Sequence, residues 1–316
     1  MNTNPIVPEN DPARMSDGAP EALLHKPSSL ERVAVRGLTY TVRRWGPADA
    51  PQVFLLHGWM DSSPTFQFVV EALEGEWHVV APDWRGYGAS TWLGRPYWFA
   101  DYFADLEILL RHFSPDSPAR LVGHSMGASI AAAYAGARPE RVRGLVMLDF
   151  LGLPQAGADE APTRLRHWLE TLDDPPALRS YGDCAELARR LRFSNPRLSV
   201  ARAQFLAREC GRATPEGRIV PACDPWHRHP APVPYQVADA MACWRAISAP
   251  VRLLVAEQGY VAQRFAEDGA ELARRLACFS RLVREDIADC GHNLHHDQPE
   301  RVAAAIENFF QVAERG

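Results

Sequence analysis

Short apolar or β-branched runs recur along the chain and predict strands at Arg32 to Val35, Leu38 to Trp45, Val53 to Leu56, Trp77 to Ala81, Arg120 to Val122, Val142 to Leu148, Val251 to Val255 and Leu282 to Asp286. Between the later runs lie helical periodicities, such as Phe66, Val69, Val70 and Leu73, or Leu106, Leu109, Leu110 and Phe113. The runs VFLL, VVA, LVG and GLVML are apolar on both faces, as a parallel sheet covered by helices on both sides requires. Pro139 stops the Ala-rich helix that follows Ser125, and Pro299 sits where the first turn of a last helix should begin, ahead of Val302, Ala305, Ile306 and Phe309. The expected class is therefore α/β, with eight mostly parallel strands.

One segment interrupts the alternation. From Leu151 to about Ala249 the chain carries helical patterns (Leu165, Trp168, Leu169, Leu172; then Val237, Met241, Trp244) without a strong strand, and reads as a helical insertion. Within it, Pro221 to Pro234 holds five prolines and should be extended or turned. Residues 1–28 are polar and proline-bearing, with too little apolar content to offset ordering entropy, and are expected as a flexible tail. The organisation that results is a tail (1–28), a first core part (29–150), the insertion (151–249) and a second core part (250–316).

Composition narrows the function classes. With 47% hydrophobic and 23% charged residues, most of the chain should pack into a core. The net charge of −5, with no long run of either sign, offers no basic field to a phosphate backbone, so nucleic acid is not an expected partner. Cys184, Cys210, Cys223, Cys243, Cys278 and Cys290 form no C-x-x-C pair and read as scattered reduced thiols rather than a zinc site or disulfide framework. The N-terminus lacks a basic start and apolar centre, which makes the cytoplasm the expected compartment, and no apolar stretch is long enough for a membrane span.

The chemistry concentrates in four segments. Gly123-His124-Ser125-Met126-Gly127 follows an apolar strand and opens a helix, the context in which G-x-S-x-G marks a nucleophile on a strained strand-to-helix turn. Leu55-Leu56-His57-Gly58-Trp59 ends another buried strand; the backbone N–H groups of Trp59 and Met126 are the expected oxyanion donors, and His57 reads as structural. Asp83-Trp84-Arg85-Gly86-Tyr87-Gly88-Ala89-Ser90 reads as a glycine-pinned scaffold loop in which Arg85 pairs with a nearby Asp rather than with a substrate carboxylate. Cys290-Gly291-His292-Asn293-Leu294-His295-His296-Asp297 lies between the last strand and the last helix, and His292 is the candidate base for Ser125. His295, His296 and Asp297 would suit zinc, but no second cluster matches, so neither a metal nor an organic cofactor is expected.

In this order, H-G-W, D-x-R-G-x-G-x-S, G-H-S-M-G and G-H-x-x-H-x-x-x-P resemble the α/β-hydrolase superfamily over residues 30–314, and His57 to Ser63 with Gly259-Tyr260 is similar to the serine hydrolase-like proteins. The resemblance implies a triad in the chain order Ser, acid, His, and makes residues 151–249 a helical cap over the catalytic mouth. It also exposes a departure. The usual acid follows the seventh strand, where this chain has Gly259. As in some relatives, the carboxylate can come instead from the end of the sixth strand, which points to Asp149, with Glu257 as the alternative. Trp168, Trp226, Tyr235 and Trp244 are candidates to wall an apolar substrate site, whereas Asp224, His227 and His229 read as surface positions. The expected activity is hydrolysis of a carboxylic ester of a small, largely apolar substrate through an acyl-enzyme, with C–C bond hydrolysis of a vinylogous diketone as one alternative. Non-catalytic ligand binding is the other. Dehalogenase and epoxide hydrolase activities are disfavoured, because the relatives that perform them use an aspartate where this chain has Ser125.

Overall fold

The computed structural model describes residues 26–174 and 176–313. Most of the expected tail lies outside them. At its boundary, Lys26 Nζ donates to the Leu73 carbonyl at 2.7 Å and Ser28 already opens the first strand, slightly earlier than the sequence suggested.

The strands are β1 (Ser28–Val35), β2 (Leu38–Trp45), β3 (Gln52–Leu56), β4 (His78–Pro82), β5 (Ala119–His124), β6 (Val142–Leu148), β7 (Gly211–Ala213), β8 (Ile219–Pro221), β9 (Val251–Gln258) and β10 (Leu282–Gly291). Eight of them form one sheet in the order β1-β2-β4-β3-β5-β6-β9-β10. The pairs β1/β2 and β2/β4 are antiparallel, and every pair from β4 to β10 is parallel. Side chains alternate across this sheet. Phe54, Leu56, Leu121, Leu145, Met147 and Leu253 enter one core, while Val53, Leu55, Val122, Val146, Leu148 and Leu254 enter the other. That period of two explains why the strands are apolar throughout: both faces are covered.

The helices are α1 (Gln67–Ala72), α2 (Ala100–Phe113), α3 (Met126–Ala137), α4 (Ala161–Glu170), α5 (Cys184–Ser194), α6 (Val200–Glu209), α7 (Val237–Ala246), α8 (Tyr260–Arg264), α9 (Gly269–Leu276), α10 (Leu294–Asp297) and α11 (Pro299–Ala313). Residues of α2, α3 and α7 fill the first core, and those of α1 and α11 the second. Pro299 is the first residue of α11, where its missing N–H costs nothing. Among the described residues no helix is long and apolar enough to cross a membrane, and all six cysteines are free.

Between β6 and β9 the chain makes the long excursion expected from its pattern, but its content differs in three ways. It contains a small hairpin, β7 paired with β8. α5 and α6 build a third core around Leu187, Leu198, Phe205 and Leu206, and Phe68 is its anchor on α1. α7 does not stand apart: its Val237, Met241 and Trp244 are buried in the first sheet-facing core, and Trp244 stacks on Phe279 with ring centroids 5.4 Å apart. Trp244 is therefore a core residue and not a wall of a substrate site.

Of the residues read as surface positions, Asp224 and His227 fasten this excursion to the loop after β4, whereas the partly buried His229 bonds within it to the Thr171 carbonyl at 2.9 Å. Asp224 is buried; its carboxylate accepts from Gly94 N (2.8 Å), Tyr97 Oη (2.7 Å) and Trp226 N (3.1 Å), and its own N–H donates to the Gly86 carbonyl. His227 lies between the rings of Tyr87 (3.9 Å) and Tyr97 (3.8 Å), and burial lowers its pKa to about 4. Gly86 has φ +78°, and a Cβ there would come within 2.3 Å of His227 Nε2, so the glycine both makes the turn and admits the ring.

Candidate active site

β5 and β6 are neighbours in the sheet, with His124 opposite Leu148, so their C-terminal ends deliver Ser125 and Asp149 side by side. Ser125 has φ 49° and ψ −112°, and Asp149 has φ 48°. Met60, in the adjacent turn, has φ 62°. Non-glycine residues in this region cost roughly 1–3 kcal/mol each and persist where the surroundings over-determine them. Three of them border one site. The Ser125 turn is held by its N–H donating to the Leu148 carbonyl (3.2 Å) and its carbonyl accepting from Ser129 N (3.1 Å). A Cβ at Gly127 would lie 2.0 Å from the Leu56 carbonyl, so no other residue lets α3 start this close to β3.

The oxyanion candidates flank this turn. The position of a Cβ on Gly58 is 3.3 Å from Ser125 Cβ, which puts the Gly58-Trp59 backbone against the serine. Met126 is the first residue of α3. Among the described residues neither the Trp59 nor the Met126 backbone N–H has an acceptor. The Trp59 side chain is largely exposed, and its Nε1–H donates to the His227 carbonyl at 3.3 Å, linking this turn to the excursion. His57 is structural: Trp84 N–H donates to its Nε2 (3.0 Å), which leaves Nδ1–H to donate to the Gly58 carbonyl (2.8 Å). Burial takes its pKa down to about 3, so the ring stays neutral near pH 7.

His292 follows β10 and is partly exposed, and its Nδ1 lies 2.8 Å from Asp149 Oδ2. Asp149 is fully buried and also accepts from Tyr260 N (2.6 Å), Ala256 N (3.2 Å) and Val261 N (3.4 Å). The departure at Gly259 now has a physical reason. A Cβ on Gly259 would lie 2.2 Å from Asp149 Oδ2, so the Asp149 carboxylate occupies the space that a side chain after β9 would fill. Glu257 is exposed on β9 and accepts from Asp289 N at 3.0 Å; it is not the acid brought to His292.

Arg85 pairs with Asp105 through Nε (2.5 Å) and Nη2 (2.6 Å), and with Asp101 through Nη1 (2.7 Å), as its residue type suggested. Of the candidate substrate walls, Trp168, Trp226 and Tyr235 are partly buried in the excursion, and Gly152 abuts the Tyr235 hydroxyl. A cleft of about 630 Å³ lined by Arg43, Ser62, Asp83, Trp92 and Glu209 holds none of the catalytic candidates.

Sequence reasoning passed over His124. Its Nε2–H donates to the His292 carbonyl at 2.9 Å, so the residue before the serine holds the backbone of the candidate base. Its place inside G-H-S-M-G was the available signal. His295 and His296 are buried beside it, whereas Asp297, grouped with them in the sequence, turns away to accept from Asn195 Nδ2 (2.6 Å) and Gly291 N (2.9 Å).

The chain is 28% identical over 285 residues to a serine hydrolase-like protein of Danio rerio, covering 84% of this chain and 83% of the relative. It is 29% identical over 282 residues to the lipase LipV of Mycobacterium tuberculosis, covering 84% and 96%. The crystal structure of a hypothetical protein of Pseudomonas aeruginosa PAO1 superposes with a TM-score of 0.78 at 27% identity, covering 91% of this chain and 99% of that one. The family model described as alpha/beta hydrolase fold matches residues 51–299. With the parallel sheet and the strand-end geometry just described, the chain belongs to the α/β-hydrolase fold family.

Proposed function

We propose that this protein is a serine hydrolase that cleaves a carboxylic ester, or a similar acyl bond, of a small and largely apolar substrate. The observation that carries the reading is the contact between His292 Nδ1 and the buried Asp149 carboxylate. A carboxylate accepts, so Nδ1 bears the proton and Nε2 keeps its lone pair for a hydroxyl. Ser125 Oγ attacks the carbonyl carbon as its proton passes to His292 Nε2, and the tetrahedral oxyanion takes hydrogen bonds from the Trp59 and Met126 N–H groups. The ester C–O bond then breaks, and His292 returns the proton to the departing alcohol. Water repeats the sequence on the acyl-enzyme and releases the acid. Asp149 stays ionised throughout and stabilises the imidazolium.

The helices and hairpin between β6 and β9 act as a cap, and Trp168, Trp226 and Tyr235 give it apolar surface for the acyl or alcohol part. Relatives named as a lipase and a serine hydrolase-like protein agree with acyl chemistry. The test is a panel of p-nitrophenyl esters of increasing acyl length alongside a vinylogous diketone. Saturable release of p-nitrophenol supports the proposal; cleavage of the diketone alone replaces it with C–C bond hydrolysis, and turnover of neither favours a binding module.

A further inference from the structure

Behind the serine, Asp61, His124 and His295 each offer a ligand atom, and these atoms all lie within 4.8 Å of one another. His124 is 3% exposed and His295 fully buried, and their ring centroids are 4.3 Å apart. Neither His124 Nδ1 nor His295 Nδ1 has a hydrogen-bond partner among the described residues, although both atoms are shielded from water. For His124 the tautomer is fixed. A carbonyl can only accept, so Nε2 carries the proton given to His292 O, and Nδ1 is a bare lone pair pointing at no donor. Buried acceptors are almost always satisfied, so this lone pair is free to take a donor or a cation. His296 adds a third ring, 4.1 Å from that of His295, and its Nε2 lies 2.6 Å from Thr65 Oγ1.

We propose that Asp61, His124 and His295 bind a divalent transition-metal cation of the zinc type. Two imidazoles and a carboxylate are a ligand set zinc takes readily, with a fourth position left to water. Asp61 supplies the countercharge and the route of entry: its side chain is partly exposed, and its Oδ2 stands 4.0 Å from His295 Nε2, which also lies 3.0 Å from Thr65 Oγ1 and would exchange that contact for the cation. The three residues come from three separate segments: the turn after β3, the end of β5 and α10. Asp61 follows the Trp59 turn, His124 precedes Ser125, and His295 follows His292. A bound cation clamps the oxyanion turn, the nucleophile and the loop of the base to one another from behind, without touching substrate.

The experiment is calorimetric titration of the chelator-treated full-length chain, made without a polyhistidine tag, with zinc chloride, and with cobalt(II) to record its visible absorption. One equivalent of zinc with a raised melting temperature is expected. Asp61→Asn, which keeps an acceptor for Ser62 N, and His295→Gln should each weaken binding by on the order of tenfold or more. His112→Gln, at an exposed histidine, should leave it unchanged. Absence of stoichiometric binding by wild type whose circular dichroism is that of a folded protein overturns the proposal. So does binding that neither Asp61→Asn nor His295→Gln weakens.

Discussion

Asp149→Asn is expected to lower kcat by about 10⁴-fold, because an amide at this position favours the wrong imidazole tautomer while leaving the geometry intact. Glu257→Gln should leave kcat within about twofold of wild type, as expected of a surface substitution remote from the base. The contrast follows from placement. Asp149 is buried and 2.8 Å from His292 Nδ1, with backbone N–H groups of residues 256, 260 and 261 fixing its remaining lone pairs. Glu257 is exposed and engaged with Asp289 N. Steady-state kinetics on whichever ester the panel reveals reads both variants, and the reverse pattern would move the acid to β9.

The second large effect concerns stability. Asp105→Ala is expected to cost about 3–5 kcal/mol, as breaking one partner of a buried ion pair does. Arg85 and Asp105 are 6% and 0% exposed, their contact is bidentate, and Tyr40 Oη also donates to the carboxylate. Removing it leaves a guanidinium in the core whose remaining ion-pair partner among the described residues is the partly exposed Asp101. Urea unfolding followed by tryptophan fluorescence measures the difference. A loss below about 1 kcal/mol, the range of surface pairs, would show that Arg85 is solvated in the folded protein.

What could be read from the sequence followed from how local each signal is. The sheet was legible because a strand covered on both faces must be apolar on both, as Phe54 to Leu56 and Leu145 to Leu148 are. The serine turn was legible because both of its glycines fall within one five-residue motif: Gly123 answers to the backbone of Gly127 and Ala128 close by, although Gly127 answers to Leu56 on the neighbouring strand. Asp149 was reached only through the anomaly at Gly259, and the physical link between them, one carboxylate filling the other's space, is a contact across 110 residues that no spacing rule encodes. The excursion was the least legible part. α4 forms where Leu165 and Leu169 predict it, yet those side chains are exposed, so its periodicity does not mark a buried face. α5 and α6 bury modest stripes against one another, and three-residue strands such as β7 leave no period to detect. Asp224 and His227 looked like loop-surface residues because their partners, Tyr97 and Tyr87, lie more than a hundred residues earlier.

The central claim is that Ser125 is an activated nucleophile. It is tested most directly by intact-mass analysis after exposure to a fluorophosphonate, which needs an activated serine and no knowledge of the substrate. A single adduct on wild type, absent from Ser125→Ala, is the result this account predicts. An adduct that persists in Ser125→Ala, or none on folded wild-type protein, would contradict it.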